Sequence, residues 1–207
     1  MMSLYRKYKE FTMIPESIFN ANIELCKEYR NVPGCVVECG VWKGGMIAGI
    51  AETLGKGKNY FLFDSFEGLP LCTEEDGLGA SDWQKDVDSP TYFSNCGADI
   101  SFAERAMAMS GAPNKQIIKG WYSDTLPNFD FKEKIAILRL DSDWYNSTMD
   151  CLNNLYKKVN QGGIIIVDDY YIWPGCTRAI HEYLFKNNVR DTIMGTYPNF
   201  CYIKIGR

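Results

Sequence analysis

One histidine, His181, is all that this 207-residue chain contains, and none of its eight cysteines forms a Cys-x-x-Cys pair. Both shortages argue against a zinc centre of the usual Cys/His kind. No apolar run reaches the roughly 18 residues that a bilayer span needs. No signal-peptide apolar segment follows the opening Met1-Met2-Ser-Leu-Tyr-Arg-Lys. Membrane insertion and export are therefore not expected, and the cysteines read as free thiols of a reducing, cytoplasmic compartment. The doubled Met is compatible with a domain cut from a longer, glycan-modifying protein. Excess positive charge is missing too: the formal net charge is −4, which favours neither nucleic acid nor an anionic membrane. Arg6, Lys7 and Lys9 read as a solvated basic tip. Asn146-Ser-Thr148, without a secretory signal, reads as a helix start rather than a glycosylation site. Internal repeats and low-complexity segments are absent.

What is present is an ordinary globular composition, 46% hydrophobic and 23% charged, enough for one α/β domain over residues 1–207. A helical pattern opens at Ile14-Pro15-Glu16 and runs through Tyr29, so residues 14–30 form an N-terminal helical segment. Short apolar runs at Cys35–Glu38, Tyr60–Phe63, Gln116–Lys119, Ile135–Leu140 and Ile164–Val167 read as buried parallel strands. Helices are predicted over Met46–Leu54, Ile100–Met109, about Ser147–Val159 and about Cys176–Lys186. Strands near Thr192–Thr196 and Phe200–Ile205, joined by Tyr197-Pro-Asn199, predict an antiparallel hairpin. Leu71 to about Asn95 reads as irregular and acidic, and residues 71–99 as a whole are expected to form an active-site lid. The fold class is α/β: an open, mostly parallel sheet with a C-terminal antiparallel hairpin and helices on both faces.

Three motifs sit at strand ends, where open parallel sheets bind ligands. Glu38-Cys-Gly40-Val-Trp-Lys-Gly44-Gly45 links a strand to a helix. Its spacing is neither Gly-x-Gly-x-x-Gly nor a Walker loop, which disfavours a pyrophosphate. Asp64 follows about twenty residues later, where an acid accepts both hydroxyls of a ribose. S-adenosylmethionine fits this pair, with its ammonium group near Glu38; tight packing alone is the alternative reading of the turn. The other two motifs are acidic, Asp141-Ser-Asp143 and Asp168-Asp169. Asp141, Asp168 and Asp169 offer hard oxygen ligands suited to Mg²⁺, Mn²⁺ or Ca²⁺. Helix capping competes with that reading, chiefly for Asp143 and Asp150. Trp83, Tyr92, Trp144, Tyr170, Tyr171 and Trp173 are plentiful aromatics. Those near the site would stack on the C–H face of a sugar, although each alone reads as packing.

Five segments then agree in order and spacing: Val37-Glu-Cys-Gly-Val-Trp-Lys-Gly-Gly45, Phe63-Asp-Ser-Phe-Glu-Gly-Leu-Pro70, Gly120-Trp-Tyr-Ser-Asp-Thr-Leu-Pro127, Leu138-Arg-Leu-Asp-Ser-Asp-Trp-Tyr-Asn-Ser-Thr148 and Gly162-Gly-Ile-Ile-Ile-Val-Asp-Asp-Tyr170. Together they resemble the macrocin O-methyltransferase (TylF-like) family over roughly Ile14 to Phe185. The resemblance implies a class I methyltransferase fold and S-adenosylmethionine- and Mg²⁺-dependent methylation of sugar hydroxyls, often on deoxysugars such as rhamnose. It implies that Glu38, Gly40, Gly44 and Gly45 hold the methionine part. Asp64 would hold the ribose, with Ser65 and Phe66 beside the adenosine. Trp121, Tyr122 and Ser123 would flank the adenine, and Asp141, Asp168 and Asp169 would ligate the metal. It permits a homodimer. Catechol-type relatives carry a Lys base shortly after the first metal Asp, where Trp144 stands here. Asp143 is the first candidate for the base and His181 the second. A catechol- or phenol-directed methyltransferase, or a catalytically silent domain of the same fold, are the competing readings. A nicotinamide oxidoreductase is disfavoured by the glycine spacing.

Overall fold

The computed structural model describes residues 3–196 and 200–206. Among these residues seven strands form one sheet: β1 Cys35–Cys39, β2 Tyr60–Asp64, β3 Lys115–Lys119, β4 Ile135–Leu140, β5 Val159–Val167, β6 Ile193–Thr196 and β7 Phe200–Lys204. Their order is β3-β2-β1-β4-β5-β7-β6. The first five are parallel, while β7 runs antiparallel to both β5 and β6. The expected hairpin pairing is therefore present; its Tyr197–Asn199 link lies outside the described residues. Chain order reverses between β1 and β4, which makes their carboxyl ends the switch point where a crevice opens.

Among the described residues eight α-helices flank the sheet: α1 Leu4–Tyr8, α2 Glu16–Glu28, α3 Gly45–Leu54, α4 Gly77–Lys85, α5 Ile100–Ser110, α6 Tyr122–Thr125, α7 Tyr145–Leu155 and α8 Pro174–Lys186. Strand side chains alternate between faces. Val36, Leu62, Ile137 and Ile166 pack with Phe19, Ile47 and Met107 of α2, α3 and α5. Val37, Phe63, Leu138 and Ile165 pack with Leu152, Leu155 and Ile180 of α7 and α8. Both faces are covered, which is why these strands read as unbroken apolar runs. Among the described residues no helix is long and apolar enough to cross a membrane. All eight cysteines are free, and only Cys72 and Cys96 are less than buried.

Four local expectations are corrected. The helix predicted to reach Val159 ends as α7 at Leu155; a 3-10 turn, Tyr156–Lys158, follows, and Val159 opens β5. The first helix was invisible to periodicity because it is one turn long; the Ser3 hydroxyl caps it by accepting from the Arg6 amide. The basic tip is not wholly solvated, since Lys7 pairs with Glu52 and the buried Tyr8 hydroxyl donates to the same carboxylate. Finally, the segment read as irregular holds α4, preceded by the 3-10 turn Glu74–Asp76 with a Thr73/Asp76 capping box. Gly77 and Gly79 lower the helix propensity of that segment and hid it.

Candidate active site

A cavity of about 720 Å³ opens over the ends of all five parallel strands. One wall is the glycine turn after β1. Gly40 has φ +89°, and a Cβ there would stand 1.7 Å from the Asp141 carbonyl oxygen. Only glycine lets the ends of β1 and β4 approach this closely. Asp64, at the end of β2, holds the turn: Oδ2 accepts from the amides of Val41 and Trp42 at 2.7 and 2.8 Å. Its Oδ1 accepts from the Phe66 amide at 2.7 Å. Burial raises the Asp64 pKa, and these three amides pull it back.

Period-two alternation puts Glu38, Arg139 and Asp141 on the sheet face that carries Val36 and Ile137. Arg139 is the one charged residue inside β4 and is 1% exposed. Its Nη1 donates to Glu38 Oε1 at 2.9 Å and to Asp141 Oδ2 at 2.8 Å. Its Nη2 lies 2.6 Å from Asp168 Oδ1, a close ion pair whose angles fall outside hydrogen-bond geometry. Its Nε donates to Asn22 Oδ1, from α2, at 3.3 Å. Burial opposes the guanidinium charge, but Asp168, Asp141 and Glu38 outweigh it and hold the group charged. Glu38 Oε2 is buried without a hydrogen-bond partner. Burial pushes the Glu38 carboxyl up to about 8, against the pull of Arg139.

Beyond Arg139, oxygens of Asp141, Asp143 and Asp169 lie within 4.8 Å of one another. This is not the set expected from sequence: Asp143 has joined it, and Asp168 is held on Arg139. Asp143 has φ +53°, and its amide donates to Asp169 Oδ2 at 2.9 Å. That turn brings its carboxylate back over the strand ends. Trp173 Nε1 donates to Asp143 Oδ1 at 3.0 Å. Burial, then Asp141, pushes the Asp143 carboxyl up to about 8. Burial, then Asp143, also holds the Asp169 carboxyl well above the usual carboxylate range. Clustered carboxylates that disfavour one another's charge are what a divalent cation relieves.

Of the other expected residues, Ser65 and Trp121–Ser123 line the cavity, whereas Gly44, Gly45 and Phe66 stand behind its wall. The Ser65 hydroxyl donates to the Gly68 carbonyl and accepts from the Glu67 amide. His181 is not brought to the site: it is exposed on α8, outside the lining, with its Nε2 2.8 Å from the Tyr170 hydroxyl.

Residues 71–99 make contacts at the cavity that the sequence did not signal. Phe93, Ser94, Asn95 and Cys96 all have φ between +46° and +59°, a left-handed turn without a glycine that costs about 1–2 kcal/mol per residue. Asn95 clamps it: its carbonyl accepts from the Leu69 amide, its Nδ2 donates to the Leu69 carbonyl, and Gln84 Nε2 donates to its Oδ1. The turn presents Phe93 edge-on to Trp42, at 6.0 Å between ring centres. Trp83, Trp144 and Trp173 meet edge-to-face at 5.0–6.0 Å, joining the lid to α7 and α8. Asp76 Oδ1 accepts from the Tyr145 amide and so caps α7 from the lid.

The profile of the family described as Macrocin-O-methyltransferase (TylF) matches residues 10–199. The chain belongs to this TylF family. Mycinamicin III 3''-O-methyltransferase of Micromonospora griseorubida is 34% identical over 197 residues, spanning 88% of this chain and 74% of that protein. The 8-demethyl-8-(2,3-dimethoxy-alpha-L-rhamnosyl)-tetracenomycin-C 4'-O-methyltransferase of Streptomyces olivaceus is 32% identical over 183 residues, 83% of this chain and 67% of that protein. Among solved structures, the O-methyltransferase NovP superposes with a TM-score of 0.77 at 30% identity, covering 95% of this chain and 83% of that one. This TylF-family chain is thus an O-methyltransferase of the class I fold, and that fold implies S-adenosylmethionine as methyl donor. The residues fit the donor: the buried Glu38 oxygen without a hydrogen-bond partner would suit its ammonium group, at a cavity wall where Gly40 leaves no side chain.

Proposed function

We propose that the chain transfers the methyl group of S-adenosylmethionine to a sugar hydroxyl of a glycoside, a deoxysugar such as rhamnose, with Mg²⁺ or Mn²⁺ at the acidic cluster. One observation carries the reading: the free oxygen of Glu38 and the Asp141/Asp143/Asp169 cluster share one cavity at the switch point. The sugar-bearing substrates named for the mycinamicin and tetracenomycin relatives support the acceptor class.

When bound, the donor supplies an electrophilic sulfonium methyl, and the cation lowers the pKa of the acceptor hydroxyl. The chain's own residues do the rest. Glu38 binds the donor ammonium through Oε2. The start of the glycine turn, Gly40 to Trp42, lies along the methionine part, with Gly44 and Gly45 behind it. Asp64 receives the ribose through the unused capacity of Oδ1. Ser65 and the segment Trp121, Tyr122 and Ser123 flank the adenosine, and Phe66 acts through its amide on Asp64. Asp141 and Asp169 hold the cation, while Asp168 balances Arg139 behind them. Asp143 takes the hydroxyl proton on Oδ2, its Oδ1 being fixed by Trp173. The aromatic walls exclude water and face the C–H side of the sugar.

The test is a mass-spectrometric screen for methyl gain across sugar nucleotides, rhamnosides, free glycans and catechols, with Mg²⁺. Methylated rhamnosides support the reading. Methylated catechols with inert sugars overturn the acceptor class. No calorimetric binding of S-adenosylmethionine overturns the donor assignment and supports a silent domain.

A further inference from the structure

Arg139 touches three carboxylates that, under the reading above, belong to two different subsites. Glu38 stands on the donor side; Asp141 and Asp168 stand on the cation side. A buried guanidinium is costly unless its fork is filled on all sides. Here the fork is filled asymmetrically. Nη1 reaches one oxygen of Glu38 and one of Asp141, Nη2 faces Asp168, and Asn22 takes Nε. The result is that Glu38 Oε2 stays free although it lies beside an arginine. Left unbraced, a guanidinium meets a carboxylate with two parallel hydrogen bonds, which would use both Glu38 oxygens.

We propose that Arg139 is a positioning residue that couples the two subsites: Asp168 braces the guanidinium so that it grips only Glu38 Oε1, and thereby keeps Oε2 open for the donor cation. Asp168 then governs donor affinity from the far side of Arg139 without touching the donor. The proposal rests on the assignment of Glu38 to the donor.

A double-mutant cycle tests it, with S-adenosylhomocysteine as the calorimetric probe and EDTA present, so that neither turnover nor a metal contributes. Asp168→Asn weakens binding at least fivefold, because the released fork closes on Glu38. Arg139→Met also weakens binding, and adding Asp168→Asn to it causes no further loss. A purely structural role for both residues gives losses that multiply. Arg139→Lys, which keeps the charge and loses the fork, serves where the methionine variant does not fold, and predicts the same loss of response to Asp168→Asn. Multiplying losses, or Asp168→Asn binding within twofold of wild type, overturn the coupling alone. Wild-type protein that does not bind the probe overturns the donor assignment and the coupling with it.

Discussion

Asp143 holds the most exposed position in the mechanistic account, because its geometry depends on one backbone angle. Its left-handed φ of +53° places the carboxylate among the acidic group, and the Trp173 indole fixes one oxygen there. Asp143→Asn keeps the volume and one acceptor but cannot take a proton. A proton acceptor in the transition state is worth roughly 10²–10⁴ in rate, so kcat should fall by about that factor. Mn²⁺ affinity, followed by electron paramagnetic resonance, should stay within about threefold. Loss of Mn²⁺ binding in this variant would make Asp143 a ligand rather than a base. That Asp143 joins the acidic cluster while Asp168 pairs with Arg139 was not legible in the sequence, since it turns on what partners Arg139. A signal was there nonetheless: Arg139 interrupts Ile135-Ala-Ile-Leu-Arg-Leu140, and a charge inside a buried strand demands carboxylates. Asp64 was legible as an acid at the end of β2, yet its three contacts to backbone amides could not be, because they join loops after different strands.

At the scale of elements, the segment 71–99 expected to form a lid is held by specific contacts. The left-handed turn Phe93–Cys96 persists only because Asn95 is held on both sides. Asn95→Ala removes two side-chain hydrogen bonds worth about 1 kcal/mol each and lets the turn relax. Hydrogen exchange over residues 71–96 should speed up severalfold while β1 and β4 stay protected, and the acceptor KM should rise with donor affinity unchanged. Uniform loss of protection through the sheet would instead make Asn95 a general stability residue. The parallel strands were legible because both of their faces are buried, leaving continuous apolar runs. The lid helix α4 was not, because its glycines and acidic flanks carry the composition of a loop. Similarly, β5 starts five residues before its apolar stretch, at Val159, and Asn160-Gln-Gly-Gly163 masks the start.

For the whole molecule, the order β3-β2-β1-β4-β5-β7-β6 gathers acidic side chains from four strand ends into one poorly solvated place. Function of that kind weakens the ligand-free fold. Glu38 ionises near 4.3 in an unfolded chain but only at about 8 in the folded one. Between those values the folded state binds more protons than the unfolded state, so stability falls as pH rises through that window. In EDTA, the unfolding midpoint should drop from pH 5 to pH 8, and Glu38→Gln should flatten the slope. A midpoint that rises over this range would contradict a Glu38 carboxyl raised by burial in excess of the pull of Arg139.

The central claim is that these carboxylates serve methyl transfer through a divalent cation, and one assay tests it most directly. Transfer to an acceptor found in the screen is measured with excess EDTA, then with Mg²⁺ restored, for wild type and for Asp141→Ala. The account predicts loss of at least a hundredfold in EDTA, recovery on adding Mg²⁺, and no recovery in the variant, which should still bind S-adenosylhomocysteine. Full wild-type activity in excess EDTA would contradict it.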